Sequence, residues 1–391
     1  MRHLILNKTG QNKVRSQAKE LKAGDFESSV KSCHPGEWCL LQVDGKEHVG
    51  YINPLVGDQF TCFYLIEHSG NQTDPVLIVK DKLERAYGKR SRLEGYLDGC
   101  RLFYGSSDGL PGLIIDTFLD TNIIQINTAG IDKYREEIRS FVSELTKKKS
   151  YFLDNVQYRS KEFLPSFEKE NIQDLSIIEN NLKYKLRSEV LQKVGFYYDH
   201  RENRRQLTRI MNSLNFTFNS GIDLFSYIGA WGINALSAGC KEVDFVDQGD
   251  FSTEVSWSLQ KNSFEGRGHF HRTDVFKFLD EKIKADARYD LILSDPPAFA
   301  KSMNQKKQAL EGYSKLHRKV FKLASKGSLC AFSSCTHYVT HEEFMKNIQE
   351  AAFRENKKIQ LIYTGIQGWD HPISSLNDRA NYIKSYFYFV E

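Results

Sequence analysis

Asp223-Leu224-Phe225-Ser226-Tyr227-Ile228-Gly229-Ala230-Trp231-Gly232 is the stretch on which the fold turns. It closes an apolar run, Gly221 to Phe225, that reads as a strand, and it opens a helical pattern. Small residues there let the backbone approach a ligand, and a helix N-terminus offers unsatisfied N–H donors. The glycines do not spell G-x-G-x-x-G, which weakens a dinucleotide reading. Strand and helix patterns then alternate through Glu242 to Asp247, His269 to Thr273, Tyr289 to Ser294, Ser328 to Ser333, Ile359 to Gly365 and Tyr382 to Val390. That alternation predicts an α/β domain over residues 190–391 with a Rossmann-like, doubly wound, seven-stranded sheet. Its last two strands are expected to pair antiparallel at an edge, because the residues between them read as polar loop.

The next strand ends in Val246-Asp247, at the offset where a carboxylate takes both hydroxyls of a ribose. The third is followed by Asp274, suited to accept from an adenine amino group. Singly these signals are ambiguous: an aspartate after a strand is also an ordinary helix N-cap, and small residues in a βα turn also serve tight packing. Taken in order, one per strand, they point to an adenosyl site built from Phe225, Ser226, Tyr227, Gly229, Asp247 and Asp274. Methyltransferases that use S-adenosyl-L-methionine (AdoMet) show the same three-step order, so AdoMet is the expected cofactor.

The fourth strand ends Ser294-Asp295-Pro296-Pro297-Ala298-Phe299. Two prolines cannot continue a central strand, so they stiffen a loop at its carboxyl end. Asp295 would then reach the crevice, contacting cofactor and substrate, with Pro296, Pro297 and Phe299 as substrate contacts. The fifth strand ends Phe332-Ser333-Ser334-Cys335-Thr336. If the two strands are neighbours, Cys335 and Asp295 share one pocket. That pair has a chemical use, because carbon 5 of a cytosine is a poor nucleophile until a thiolate adds to carbon 6. Cys335 as a plain buried thiol at a strand end is the alternative. His337 and His341 are close in sequence but read as polar loop residues.

The 391 residues predict two or three domains. Residues 1–74 carry short alternating segments around the hairpin signal Asp44-Gly45 and read as a small β-barrel module. Residues 75–189 read as a small α+β domain. With 54 basic and 50 acidic side chains, composition permits nucleic-acid binding without demanding it. No apolar run approaches the roughly 20 residues of a membrane span, and a cytoplasmic address is the default expectation. Seven scattered cysteines without a Cys-x-x-Cys pair indicate neither a disulfide framework nor a zinc site, and no metal is expected.

Several runs together resemble the bacterial large-subunit ribosomal RNA cytosine-C5 methyltransferases over most of the chain. Ser106-Ser107-Asp108-Gly109-Leu110-Pro111-Gly112 with Asp116, the segment Gly195 to Arg204, Asp295 to Ser302, Ser334-Cys335-Thr336 and Asp370-His371-Pro372 carry the likeness. The resemblance implies an N-terminal PUA-like RNA-binding module, a central α+β domain and a C-terminal catalytic domain. It also implies that Gln192, Lys193, Tyr197 and Arg201 lie near the cofactor. Partners would be ribosomal RNA (23S), naked or partly assembled, and no membrane; a homodimer is a possible assembly. RNA cytosine methyltransferases outside this family carry a second cysteine where Ala298 stands, so another base must take the carbon 5 proton. Three other readings stay open. One is an enzyme methylating guanine or an exocyclic amine through Asp-Pro-Pro-x-Phe without a thiol. The others are a non-catalytic RNA-binding assembly protein and a nicotinamide dehydrogenase.

Overall fold

The computed structural model describes the chain except residues 28, 59, 67–71, 155, 191–194, 377 and 379 and the side chain at 156. Two compact units emerge: Met1–Leu175 with Ser188–Phe196, and Ser176–Arg187 with Tyr197–Glu391.

In the first unit, β1 (Arg2–Leu4), β2 (Glu20–Lys22), β3 (Glu37–Val43), β4 (Lys46–Ile52) and β5 (Thr61–Ile66) form a sheet ordered β1-β3-β4-β5-β2, preceded in part by α1 (Lys8–Arg15). Asp44 and Gly45, with φ of 52° and 74°, make the tight turn between β3 and β4. A second sheet runs β6 (Cys100–Tyr104), β7 (Leu113–Thr117), β8 (Thr121–Ile126) and β9 (Lys149–Phe152) in that order. Ile78, Val79 and Leu83 of α2 (Pro75–Arg90) share its apolar core with Ile138 and Val142 of a later helix. The short α3 (Ala129–Asp132), that later helix α4 (Arg135–Thr146) and α5 (Val156–Lys161) complete the unit. The Ser106-to-Gly112 run has a structural job. Buried Asp108 takes the Arg90 guanidinium on both oxygens at 2.8 and 2.7 Å, and the Pro111 carbonyl accepts the hydroxyls of Tyr51 and Thr128.

The second unit opens with a hairpin of β10 (Leu175–Glu179) and β11 (Leu182–Leu186), followed by α6 (Arg201–Ser213). Its main sheet holds β12 (Ser220–Leu224), β13 (Glu242–Asp247), β14 (Gly268–Arg272), β15 (Tyr289–Ser294), β16 (Ala324–Ser334), β17 (Ile359–Gly365) and β18 (Lys384–Val390). Strand order is β14-β13-β12-β15-β16-β18-β17. Strands β12 to β16 pair in parallel, and β18 runs antiparallel to both its neighbours. The crossovers are α7 (Ala230–Ser237), α8 (Ser252–Lys261), α9 (Val275–Lys284), α10 (Lys306–Leu323) and α11 (His341–Arg354). Asp274 caps α9 through the Lys277 amide, and a reciprocal Thr340–Glu343 box starts α11. Ile222, Leu224, Ile292 and Phe332 bury the sheet face against Tyr313, Leu316 and Val320 of α10 and Phe344 and Ile348 of α11. The order of strand addition reverses at β12, whose parallel neighbours are β13 on one side and β15 on the other; α/β sheets bind ligands beyond the strand ends at such a point.

A buried charge cluster ties α6 to the hairpin. Glu179, 1% exposed, accepts Nε and Nη2 of Arg204 at 2.6 and 2.7 Å, and Nε of Arg201 lies 3.6 Å from its second oxygen. The two arginines sit one turn apart on α6 and face the same carboxylate, not solvent. Replacing Glu179 with alanine would strand two buried cations, so Glu179→Ala should cost about 3–5 kcal/mol in urea unfolding. A loss below about 1 kcal/mol would show that the carboxylate does not anchor the helix.

Candidate active site

The turn after β12 is strained. Phe225, Tyr227 and Gly229 all have positive φ, at 60°, 49° and 83°. Glycine adopts this freely, but two aromatic residues there cost of order 1–3 kcal/mol each, which the surroundings must hold in place. Several bonds do so. The Ser226 amide donates to the Val246 carbonyl at 3.1 Å, and the Tyr227 amide donates to Asp247 Oδ2 at 2.9 Å. Asp247 Oδ1 accepts the Gly249 amide at 2.8 Å. Asp223 accepts the Gly232 amide at 2.8 Å, and burial raises its carboxyl to about 8. Gly232 is required because a Cβ there would lie 2.3 Å from the Phe245 ring.

These restraints leave a cradle at the ends of β12 and β13. The Ser226 hydroxyl is buried with no hydrogen-bond partner among the described residues. Asp247 is fixed by backbone amides with lone pairs to spare for a ligand's hydroxyls. An orphaned hydroxyl, a fixed carboxylate and a left-handed backbone suit a nucleoside-bearing cofactor. Asp274 takes the ordinary capping role, with Gln248 Nε2 at 2.6 Å on its second oxygen. Tyr197 stacks edge-on to Tyr227 at 5.3 Å. Burial, followed by the nearby Asp199, Cys335, Asp295 and Asp247, pushes its phenol to about 12. Arg201 is occupied with Glu179. Gln192 and Lys193 lie outside the described residues.

Neighbouring strand ends supply the other wall. The β15–β16 ladder pairs Ser294 with Phe332, so Asp295 and Cys335 extend from adjoining parallel strands. With strands about 4.8 Å apart and about 3.3 Å per residue, the two-residue offset separates their backbones by roughly 8 Å. Trp231 Nε1 donates to Asp295 Oδ2 at 3.0 Å, and His200 Nε2 lies 3.5 Å from Oδ1. Pro296 is buried and Pro297 exposed. Phe299 is half-buried against Tyr313, centroids 4.7 Å apart, and against Phe225 at 6.5 Å. Its ring is therefore shared with the core, while Tyr197, 40% exposed, is the more available stacking surface.

Of the seven cysteines, six are buried and Cys335 alone is part-exposed. Burial pushes Cys330, in the same strand, up to about 12. Beside Cys335 stands Lys384, paired with Ser334 across β16 and β18. Its ammonium donates to the carbonyls of Thr336 and Tyr382 at 2.7 and 3.0 Å. Burial lowers it to about 8, and the Cys335 sulfur opposes that shift. Burial and Lys384 lower both His337 and His341. His200, Trp231 and Lys384 stand beside Asp295 and Cys335, and sequence reading does not single them out. Only strand pairing brings Lys384 to the site, some fifty positions after Cys335.

Residues 201–349 match a family model described as conserved hypothetical protein 95. The ribosomal RNA large subunit methyltransferase I of Aeromonas salmonicida is 32% identical over 308 residues, covering 76% of this chain and 74% of that protein. The chain belongs to that family. The Erwinia tasmaniensis protein of the same name is 29% identical over 302 residues, 75% of each chain. Among solved structures, one assigned as a methyltransferase and complexed with SAH superposes with a TM-score of 0.78, at 18% identity, over 99% of this chain and 100% of that one. Another, assigned as a SAM-dependent methyltransferase from Streptococcus mutans, gives 0.76 at 18% identity and the same coverage. At that identity they share the fold.

Accessibility and the Lys384 charge make a direct chemical test. Iodoacetamide at pH 7.5 should modify Cys335 ahead of the six buried thiols, read by peptide mass spectrometry. Lys384→Met should slow that reaction about tenfold, because the neighbouring positive charge that favours the thiolate is lost. Equal rates in both proteins, or first modification elsewhere, would contradict this electrostatic assignment.

Proposed function

We propose that this chain is an AdoMet-dependent RNA methyltransferase that forms 5-methylcytosine in large-subunit ribosomal RNA, 23S in bacteria, through a covalent bond between Cys335 and carbon 6. The observation that carries the reading is the pairing of one accessible thiol with one oriented carboxyl group on adjoining strand tips. The family relatives are named for ribosomal RNA methylation, and the fold neighbour holds SAH. Residues 1–74 are proposed as a PUA-like RNA-binding module, supported by their five-stranded sheet, with residues 75–189 as a central domain and 190–391 as the catalytic domain.

AdoMet, when bound, supplies an electrophilic methyl group on sulfur. Asp247 would accept from its ribose, Phe225, Ser226, Tyr227 and Gly229 would line it, and Asp274 would meet its adenine. Lys384 favours the Cys335 thiolate. The sulfur bonds to carbon 6, and the electron pair of the 5,6 double bond moves to make carbon 5 a nucleophile. Asp295 accepts an N–H of the exocyclic amine of the base, fixing its plane against the sulfur. After carbon 5 gains the methyl group, its proton leaves to a base in the pocket, and the electrons of that bond re-form the double bond and expel Cys335 as thiolate. The target base must be splayed out of any stack, because sulfur and methyl approach its faces.

A second reading keeps Asp295 and dispenses with the thiol. Two N–H groups face the Asp295 carboxylate, a setting that also suits acceptance from a methylatable exocyclic amine. Cys335→Ala separates the two. The C5 reading predicts turnover reduced at least 1,000-fold with AdoMet affinity within twofold of wild type, and methyl on carbon 5 in nucleoside mass spectrometry. Retained methylation, or methyl on guanine, would favour the rival.

RNA as the partner also has local electrostatic support. A groove of about 700 Å3 between α10 and α11 is lined by Lys307, Lys315, Arg318, Lys319, Lys322 and Arg354 against Glu311 and Glu350. Glu355 pairs with Arg318 and Lys322, and Asp280 with Lys319. Lys307, Lys315 and Arg354 remain as the groove cations best placed to meet phosphates. The double charge reversal Lys307→Glu, Lys315→Glu should weaken RNA binding and flatten the dependence of log K on log salt by about 1–2. An unchanged slope would remove this groove from the RNA path.

A further inference from the structure

We infer that His200 is a positioning residue that, with Trp231, aims the Asp295 carboxylate as a hydrogen-bond acceptor toward the target base. The inference rests on the methyl-transfer reading above and names a component of the same site.

Its tautomer follows from neighbours. Asn203 Nδ2 donates to the Ile366 carbonyl at 3.0 Å, and a carbonyl can only accept, so that atom is the amide nitrogen. The Asn203 oxygen accepts from the Tyr363 hydroxyl at 3.0 Å. Gly365 makes room for this arrangement, since a Cβ there would lie 2.0 Å from that oxygen. The same Nδ2 lies 3.1 Å from His200 Nδ1, which must therefore accept. The ring proton consequently sits on Nε2, the atom facing Asp295.

His200 is 2% exposed, and its Nε2 has no hydrogen-bond partner among the described residues. The nearest acceptor is Asp295 Oδ1 at 3.5 Å, while the opposite oxygen already holds the Trp231 indole N–H. One N–H therefore faces each oxygen, one bond made and one open by a few tenths of an ångström. A small movement of the carboxyl as a base binds would close the second. An N–H group on each side holds the carboxyl in place as an acceptor. Asp223 on β12, Tyr197 ahead of α6 and Tyr313 on α10 also lie in electrostatic reach of it.

The test reads Asp295 directly. Carboxyl 13C NMR titration of the full chain should show the Asp295 midpoint rising by about half to one pH unit in His200→Ala, because a donor to the anion is lost. His200→Gln, which keeps an N–H, should restore most of it, and Trp231→Phe should move it the same way as His200→Ala. With unmodified ribosomal RNA, the single-turnover rate should fall about 10- to 100-fold in His200→Ala, with AdoMet affinity within twofold, and the acid limb of the pH–rate profile should shift upward with the midpoint. Should His200→Ala melt early, the other two variants carry the test. An unmoved Asp295 midpoint, or equal losses in the alanine and glutamine variants, overturns the inference. The C5 reading fails separately, through an active Cys335→Ala enzyme, and that outcome leaves the Asp295 midpoint free to move.

Discussion

The parallel ladder between β15 and β16 is the constraint on which the site depends. Register between the two strands is fixed by backbone hydrogen bonds and by the apolar face beneath them, since a one-residue slip would turn Ile292 and Phe332 out of the core. Once Ser294 stands opposite Phe332, the next residues of both chains must emerge together at the carboxyl edge. Prolines at 296 and 297 prevent the first chain from continuing as strand. The insertion of β18 beside β16 then delivers a lysine to the thiol from the last strand in sequence. Chemistry is thus assembled from distant positions by sheet order alone.

Around that edge the protein holds polar groups in a state ready for use. The turn after β12 keeps two aromatic residues in a left-handed conformation, and amide bonds to the end of β13 hold it there. Asp223 is buried and biased toward its neutral form, whereas Asp295 has donors on both sides. Glu179 does comparable work farther out, drawing Arg201 and Arg204 inward so that the segment from Tyr197 to His200 is presented from a rigid helix start.

Much of this was legible in the sequence because strand-and-turn signals are local. The Asp44-Gly45 turn, the paired strands of the central sheet and the alternating strands from Gly221 onward all follow from short-range pattern. So does the antiparallel edge, inferred from a polar connection too irregular for a crossover helix. Long-range pairing was not legible. Lys384 looks like any charge at the start of a strand until β18 is placed next to β16. His200 sits inside a recognisable segment, yet its aim depends on Asn203, Tyr363 and the carbonyl of Ile366, which come from separate elements. Arg201 and Arg204 are spaced one helical turn apart, which is visible in the sequence. That the face is buried on a single glutamate required the hairpin before α6. Asp274 makes the capping bond that an aspartate after a strand offers from sequence alone.

The central claim is that a Cys335 thiolate bonds to carbon 6 of a cytosine while Asp295 holds the ring. Ribosomal RNA transcribed with 5-fluorocytidine, incubated with AdoMet and the full chain, tests it most directly, because fluorine at carbon 5 cannot leave as a proton does and the enzyme stays attached. The expected result is a denaturation-resistant protein–RNA complex whose digested peptide carries a methylated fluoronucleotide on Cys335. A complex formed equally by a Cys335→Ser chain, or methyl transfer with no complex, would contradict it.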